Sequence, residues 1–118
     1  SAKRIKGYTR ISFINDYEYY LTKDRSLTIV NQGIEVIKEI GINAGNEHVS
    51  RFAKQSLENI NNEYKRRQHE LNKKISNINS SENISPEESQ GMRAEEEQLR
   101  ETINKISLAY DDVKKHLK

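Results

Sequence analysis

The chain has 118 residues, 33% of them apolar and 32% charged, with a formal net charge of +2 and no cysteine. That length suits a single domain, and so low an apolar fraction argues against a thick spherical core and for an elongated bundle with a narrow seam. Without cysteine there are no disulfides, thiolate metal sites or thiol chemistry, and no apolar run approaches the roughly 18 residues of a membrane span. No membrane insertion is therefore expected, and a cytoplasmic location, with export without a retained signal peptide as the alternative. Charge is uneven: residues 1–80 hold fourteen Lys/Arg against nine Asp/Glu, and residues 81–118 hold six against nine. Such asymmetry points to one part of the molecule lying against another, or to one end facing an anionic partner.

Residues 1–10, SAKRIKGYTR, carry Lys3, Arg4, Lys6 and Arg10 with no acid. They read as a basic flexible arm, solvated or held against phosphate or anionic lipid, ahead of a single helical-bundle domain over 11–118. Within it, Phe13, Tyr20, Leu27 and Ile34 fall seven apart, with Tyr17, Val30 and Ile37 around them. This spacing predicts an N-terminal third helix over about 12–40. The β-branched and aromatic content of ISFI, YEYYL and SLTIV leaves a short β-meander, and hence an α+β class, as the alternative. On the helical reading Phe13, Tyr17 and Tyr20 line the apolar face as core residues, and Tyr19 alone looks outward. Gly41 is expected to take the left-handed conformation that ends a helix, with Asn43 or Asn46 capping the next.

The second and third predicted helices form an antiparallel hairpin over about 47–79 and 85–118. Leu57, Tyr64, Leu71 and Ile78 are seven apart in the first. Met92, Leu99, Ile106 and Val113 are seven apart in the second, with Ile103, Tyr110 and Leu117 between them. Ser85-Pro86-Glu87-Glu88 supplies an N-cap hydroxyl, a proline at the first helical position and a capping-box glutamate. Facing residues of such a hairpin have numbers that add to a constant. Set at 163, that constant pairs Leu57 with Ile106, Ile60 with Ile103, Tyr64 with Leu99, and Arg67 with Glu96 as a register-setting ion pair. It also lays Lys65, Arg66 and Arg67 beside Glu95, Glu96 and Glu97, so that the basic run YKRRQHELNKK is answered within the chain and only Lys73 and Lys74 stay unpaired.

The residues offer little chemistry. His48, His69 and His116 are far apart and stand at no ligating spacing, and there is no nucleotide, nucleophile-elbow or calcium-loop motif. No catalytic residue, metal site or cofactor is expected. The pattern implies an all-α, non-enzymatic protein–protein interaction module that self-associates or binds a helical partner, with Phe52, Ile84, Leu108 and Tyr19 as interface candidates. A nucleic-acid-binding accessory protein is the alternative, gripping phosphates through Lys3, Arg4, Lys6, Arg10, Arg51, Lys54, Lys73 and Lys74. The architecture resembles the small helical-hairpin substrates of bacterial type VII secretion. The chain has no tryptophan for that family's Trp-x-Gly turn, and Lys114 follows Tyr110 where the export signal has an acid, so no family is assigned.

Overall fold

The structure, a computed structural model, describes residues 9–79 and 85–117. Every regular element among them is a helix: α1 Arg10–Leu21, α2 Leu27–Ile42, α3 Glu47–Asn79 and α4 Pro86–Lys114. The fold is all-α, with no strand among the described residues, and the molecule measures 60 × 31 × 17 Å.

Each helix starts where a short polar side chain satisfies the first free amides. Thr9 Oγ1 accepts from the Ser12 amide at 3.1 Å, and Ser26 Oγ from the Ile29 amide at 3.4 Å. Asn46 Oδ1 accepts from the His48 amide at 2.9 Å. Ser85 Oγ accepts from the Glu88 amide at 3.2 Å, with Pro86 opening α4 as the sequence predicts. Each such cap contributes about 1 kcal/mol.

The expected helix over 12–40 is two helices. Thr22 Oγ1 bonds back to the carbonyls of Glu18 and Tyr19 at 3.0 and 3.1 Å, closing α1. Ser26 then caps α2, so the two hydroxyl residues that lower helix propensity here act as stop and start. The chain reverses between them, and the Arg10 guanidinium at the far end of α1 donates to the Ala44 carbonyl just past α2 at 2.7 Å. Cutting the helix also resets its phase. Ile14 and Leu21 are fully buried, whereas Phe13 and Tyr17 are half-buried and Tyr20 is 38% exposed. The heptad that faces the core is thus the one beginning at Ile14, one residue later than the aromatic heptad.

Two glycines of α2 let the neighbouring helices close in. A Cβ on Gly33 would stand 2.5 and 2.6 Å from the Leu21 methyls. One on Gly41 would stand 2.9 Å from the Ala53 Cβ and 3.1 Å from a Val113 methyl, so α3 and α4 both abut α2 there. Gly41 lies inside α2 and does not end it in a left-handed conformation; the positive φ, 62°, belongs to Gly45. Ser50 Oγ donates to the Gly41 carbonyl at 2.6 Å and fixes the same approach.

α3 and α4 run antiparallel, with Asn61 Nδ2 donating to Ser107 Oγ at 3.1 Å and Gln68 Nε2 to Glu96 Oε2 at 2.9 Å. Ala53, Leu57, Ile60 and Tyr64 from α3 join Leu99, Ile106 and Val113 from α4 in one buried cluster with Val30, Ile34 and Ile37 of α2. Thr102 of α4, itself buried, donates to Asn31 Oδ1 of α2 at 2.9 Å. None of the described helices is long and apolar enough to cross a membrane.

Opposite outcomes are expected for alanine at two helical glycines. Leu21 is fully buried and its methyls have nowhere to go, so Gly33→Ala lowers stability by about 1–2 kcal/mol net of the propensity gain. At Gly91 a Cβ meets nothing within 4 Å, and Gly91→Ala raises stability by about 0.5–1 kcal/mol. Urea unfolding of the two variants measures both.

Candidate interaction surface

The C-terminal end of α1 leaves carbonyls without helical partners, as any helix does. α3 supplies the donors. The Tyr64 hydroxyl, on a fully buried side chain, donates to the Leu21 carbonyl at 2.5 Å, and Arg67 Nη2 donates to the Thr22 carbonyl. Burial pushes the Tyr64 hydroxyl up from its ordinary pKa, which keeps the proton it donates. The Arg67 guanidinium lies 4.6 Å from the Tyr64 ring centre and pairs with Glu63 through Nε at 2.9 Å. Glu63 also takes Arg66 at 2.8 Å; the Arg66 bond is the main reason its carboxyl sits below the ordinary range, with Arg67 adding to it. These three side chains set how α1 leans on the bundle, and so which flank of α1 is left outside.

That flank is aromatic. The rings of Phe13 and Tyr17 stack with centres 5.4 Å apart, and those of Tyr17 and Tyr20 with centres 6.0 Å apart and planes 3° from parallel. With Asp16 they line a shallow groove of about 290 Å³. The Arg25 guanidinium lies 4.1 Å from the Tyr20 ring centre and its Nε donates to the Tyr20 carbonyl at 3.3 Å. α2 has partly exposed apolar residues of its own. Gly33 abuts Leu21 and so marks the α1 side of α2, while Asn31 reaches α4 on the other side. Ile29, Val36 and Ile40 stand four before, three after and seven after Gly33, along the same stripe. Ile29 is 38% exposed and Val36 37%. The α1–α2 pair thus carries partly exposed apolar residues on each helix: the ring stack of α1, and Ile29 and Val36 of α2.

The expected sites are distributed differently. Tyr19 is exposed, but the Lys23 ammonium covers its ring at 4.0 Å. Phe52 is half-buried against the core, and Leu108 is an exposed apolar residue on α4, away from those residues of α1 and α2. Lys3, Arg4, Lys6 and Ile84 lie outside the described residues. Arg10 belongs to α1 and is held by the Ala44 carbonyl, so it is a structural residue and not part of an arm. Lys73 and Lys74 are exposed near the end of α3. Arg51 pairs with Glu47, and the Lys54 ammonium faces the Tyr110 ring at 5.8 Å.

The Arg67–Glu96 pair does not form. Arg67 turns to the α1–α2 connection, and Glu96 accepts from Gln68 and from Arg100 at 2.8 Å. Successive residues point 100° apart around a helix, so once Glu63, Tyr64 and Arg67 face α1, Gln68 is the one that faces α4. The basic run is likewise answered by Glu63 in its own helix and not by Glu95, Glu96 and Glu97. An open cleft of about 480 Å³ beside it mixes Arg25, Arg66, Arg67 and Lys74 with Asp24, Glu70 and Glu95. That balance selects no anion.

The Phe13–Tyr17–Tyr20 stack was hidden by its own residue type, since aromatic residues at helical spacing ordinarily mean core. The signal that reveals it is the rival heptad Ile14–Leu21, whose aliphatic members compete for the same burial.

Because Arg67 and Glu96 serve different neighbours, Arg67→Ala and Glu96→Ala are expected to lose stability additively, within about 0.5 kcal/mol, with no rescue in an Arg67→Glu/Glu96→Arg double variant. Tyr64→Phe leaves the Leu21 carbonyl buried without its donor and costs about 1–3 kcal/mol. The Gln68 and Arg100 hydrogen bonds hold the buried Glu96 carboxyl below its ordinary pKa, the Gln68 bond most of all and against the cost of burial. Its contribution is complete above the ordinary carboxylate range and is lost as pH falls through the lowered value. Urea midpoints measured from neutral to acid pH should therefore fall less steeply for Glu96→Gln than for the wild type.

Comparison of the chain with protein-family models, characterised proteins and solved structures finds no match.

Proposed function

We propose that the protein is a non-enzymatic protein–protein interaction module, and that its docking surface is the aromatic strip of α1 and α2. The observation that carries this reading is the Phe13–Tyr17–Tyr20 stack, half-buried at Phe13 and Tyr17 and exposed at Tyr20, together with exposed Ile29 and Val36 on the neighbouring helix. A chain with so few apolar residues gains from burying every one, and contiguous apolar area left outside is the mark of an interaction site. Tyrosine suits that work, because it offers a rigid apolar ring with a polar tip and is enriched where binding energy concentrates. Behind the strip stand Ile14, Leu21, Val30, Ile34 and Ile37, all buried, so the surface is backed by packed core. The spacing along both helices suits an amphipathic helix laid across them, read through anchors three and four apart. Nucleic-acid binding draws less support among the described residues, since Arg10, Arg51, Arg66 and Arg67 already have partners within the chain.

A library of amphipathic helical peptides selected against the folded protein tests this reading, with a Tyr20→Glu/Val36→Lys variant as the counter-target. Both positions are partly exposed, so the variant keeps its fold, which circular dichroism verifies. Enriched peptides are expected to bind the variant at least about tenfold more weakly, a difference of about 1.4 kcal/mol. Binders indifferent to the substitutions, or no binders, overturn it.

A further inference from the structure

We propose that the partner of this surface is a basic amphipathic helix, one of whose arginine or lysine side chains lies along the Phe13–Tyr17–Tyr20 groove with its charge at Asp16; this rests on the reading above. Two observations select a cation: an acid without a counter-charge stands among the rings, and α1 already takes cations on its tyrosines.

Asp16 shares one face of α1 with Phe13, three residues before it, and Tyr20, four after, and it lines the groove with them and Tyr17. It is exposed. The residues one turn away on α1 are Ser12, Phe13, Tyr19 and Tyr20, none of them basic. Asp16 forms no ion pair among the described residues. Every cation of α1, α2 and the connection between them is engaged elsewhere: Arg10 by the Ala44 carbonyl, Lys23 by the Tyr19 ring, Arg25 by the Tyr20 ring and Lys38 by Glu35. A partner helix with an acid here would be repelled. A purely apolar one would cover the carboxylate without a counter-charge, and desolvating an unpaired charge is costly. A cation answers it.

The rings suit the rest of the side chain. Arginine and lysine lay an apolar stem along hydrophobic surface and keep the charged head in water, here at exposed Asp16. Aromatic faces attract cations as well, and two of them on α1 do so within the chain: the Lys23 ammonium lies 4.0 Å from the Tyr19 ring centre and the Arg25 guanidinium 4.1 Å from that of Tyr20. Arg25 does not fill the place at Asp16, because its Nε is held by the Tyr20 carbonyl at the end of α1. Phe13 and Tyr17 are half-buried, so the contact is small, and charge more than area sets its selectivity.

Running the peptide selection with every apolar frame present in arginine, glutamine and glutamate versions tests this. The counter-target is Tyr20→Ser/Val36→Ser, which adds no charge of its own. Among peptides that depend on these two residues, the arginine versions are expected to be enriched over the glutamine ones and the glutamate versions to be lost. For one such peptide, fluorescence anisotropy with the full chain gives a cycle. Citrulline in place of arginine, a neutral isostere, and Asp16→Asn should each weaken binding about tenfold, and the two together little more than either alone. Added salt should weaken the arginine peptide and spare the citrulline one. Equal enrichment of the three versions, or losses that simply add, overturns the basic partner and leaves the docking surface standing. No peptide that loses affinity for the Tyr20→Ser/Val36→Ser variant sinks both. Asp16→Ser repeats the cycle if Asp16→Asn loses helicity by circular dichroism.

Discussion

The hold that Tyr64 and Arg67 of α3 take on the end of α1 is the contact on which the rest of the arrangement depends. Two donors from one turn of a long helix meet two successive carbonyls, Leu21 and Thr22, that the end of α1 leaves without helical partners. One donor is neutral and buried; the other is charged and steadied by Glu63. A bond from a charged donor contributes about 1.5–3 kcal/mol, roughly twice a neutral one. The pair acts at a place where α1, at 12 residues, is too short to be stable alone. Fixing the end of α1 also fixes its rotation, and rotation decides that Ile14 and Leu21 go inward while the aromatic rings stay on the flank.

Close packing around α2 completes the restraint. Gly33 lets Leu21 seat against the helix backbone, and Gly41 admits Ala53 and Val113 together. Glycine in a helix costs about 1 kcal/mol against alanine, so at these two positions the loss is offset by the contacts that the missing Cβ permits. Side-chain contacts within α2 thereby tie α1, α3 and α4 to one short helix, and the Thr102–Asn31 hydrogen bond adds a polar link on the α4 side.

The long helices were legible because their signals agree. In α4 the cap at Ser85, Pro86 and the buried Leu99, Ile106 and Val113 all say the same thing. The N-terminal part was less legible because two heptads one residue apart overlap there, and burial goes to the aliphatic one. Spacing alone does not rank Ile14 against Phe13. The ranking follows from Thr22 and Ser26, whose hydroxyls cut the helix and free α1 to turn. The pairing of Arg67 failed for a related reason. A hairpin register computed from two helices takes no account of a third element competing for the same donors, and the carbonyls at the end of α1 are that competitor. The proposed docking strip, which joins residues from two helices, could not be read from either helix alone.

The distribution of helices along the molecule bears on the docking proposal. α3, with 33 residues, is about 50 Å long, against 12 and 16 residues for α1 and α2. The short helices flank α3 from Ser50, bonded to Gly41, to the neighbourhood of Leu71, which shares the cleft with Leu27. Beyond Leu71 the described part of the hairpin has only two helices. There Ile75 and Met92 are half-buried, and Asn72, Lys73, Lys74, Glu87 and Glu88 are exposed. Local stability follows buried apolar contact, so the two-helix arm is the looser half and the four-helix end the firmer one. A surface that must present rings in fixed positions is better built on the firm end, because ordering a loose one on binding would cost part of the affinity. The aromatic strip sits on that end, over the buried core, while the arm carries mainly lysine, glutamate and asparagine to the solvent.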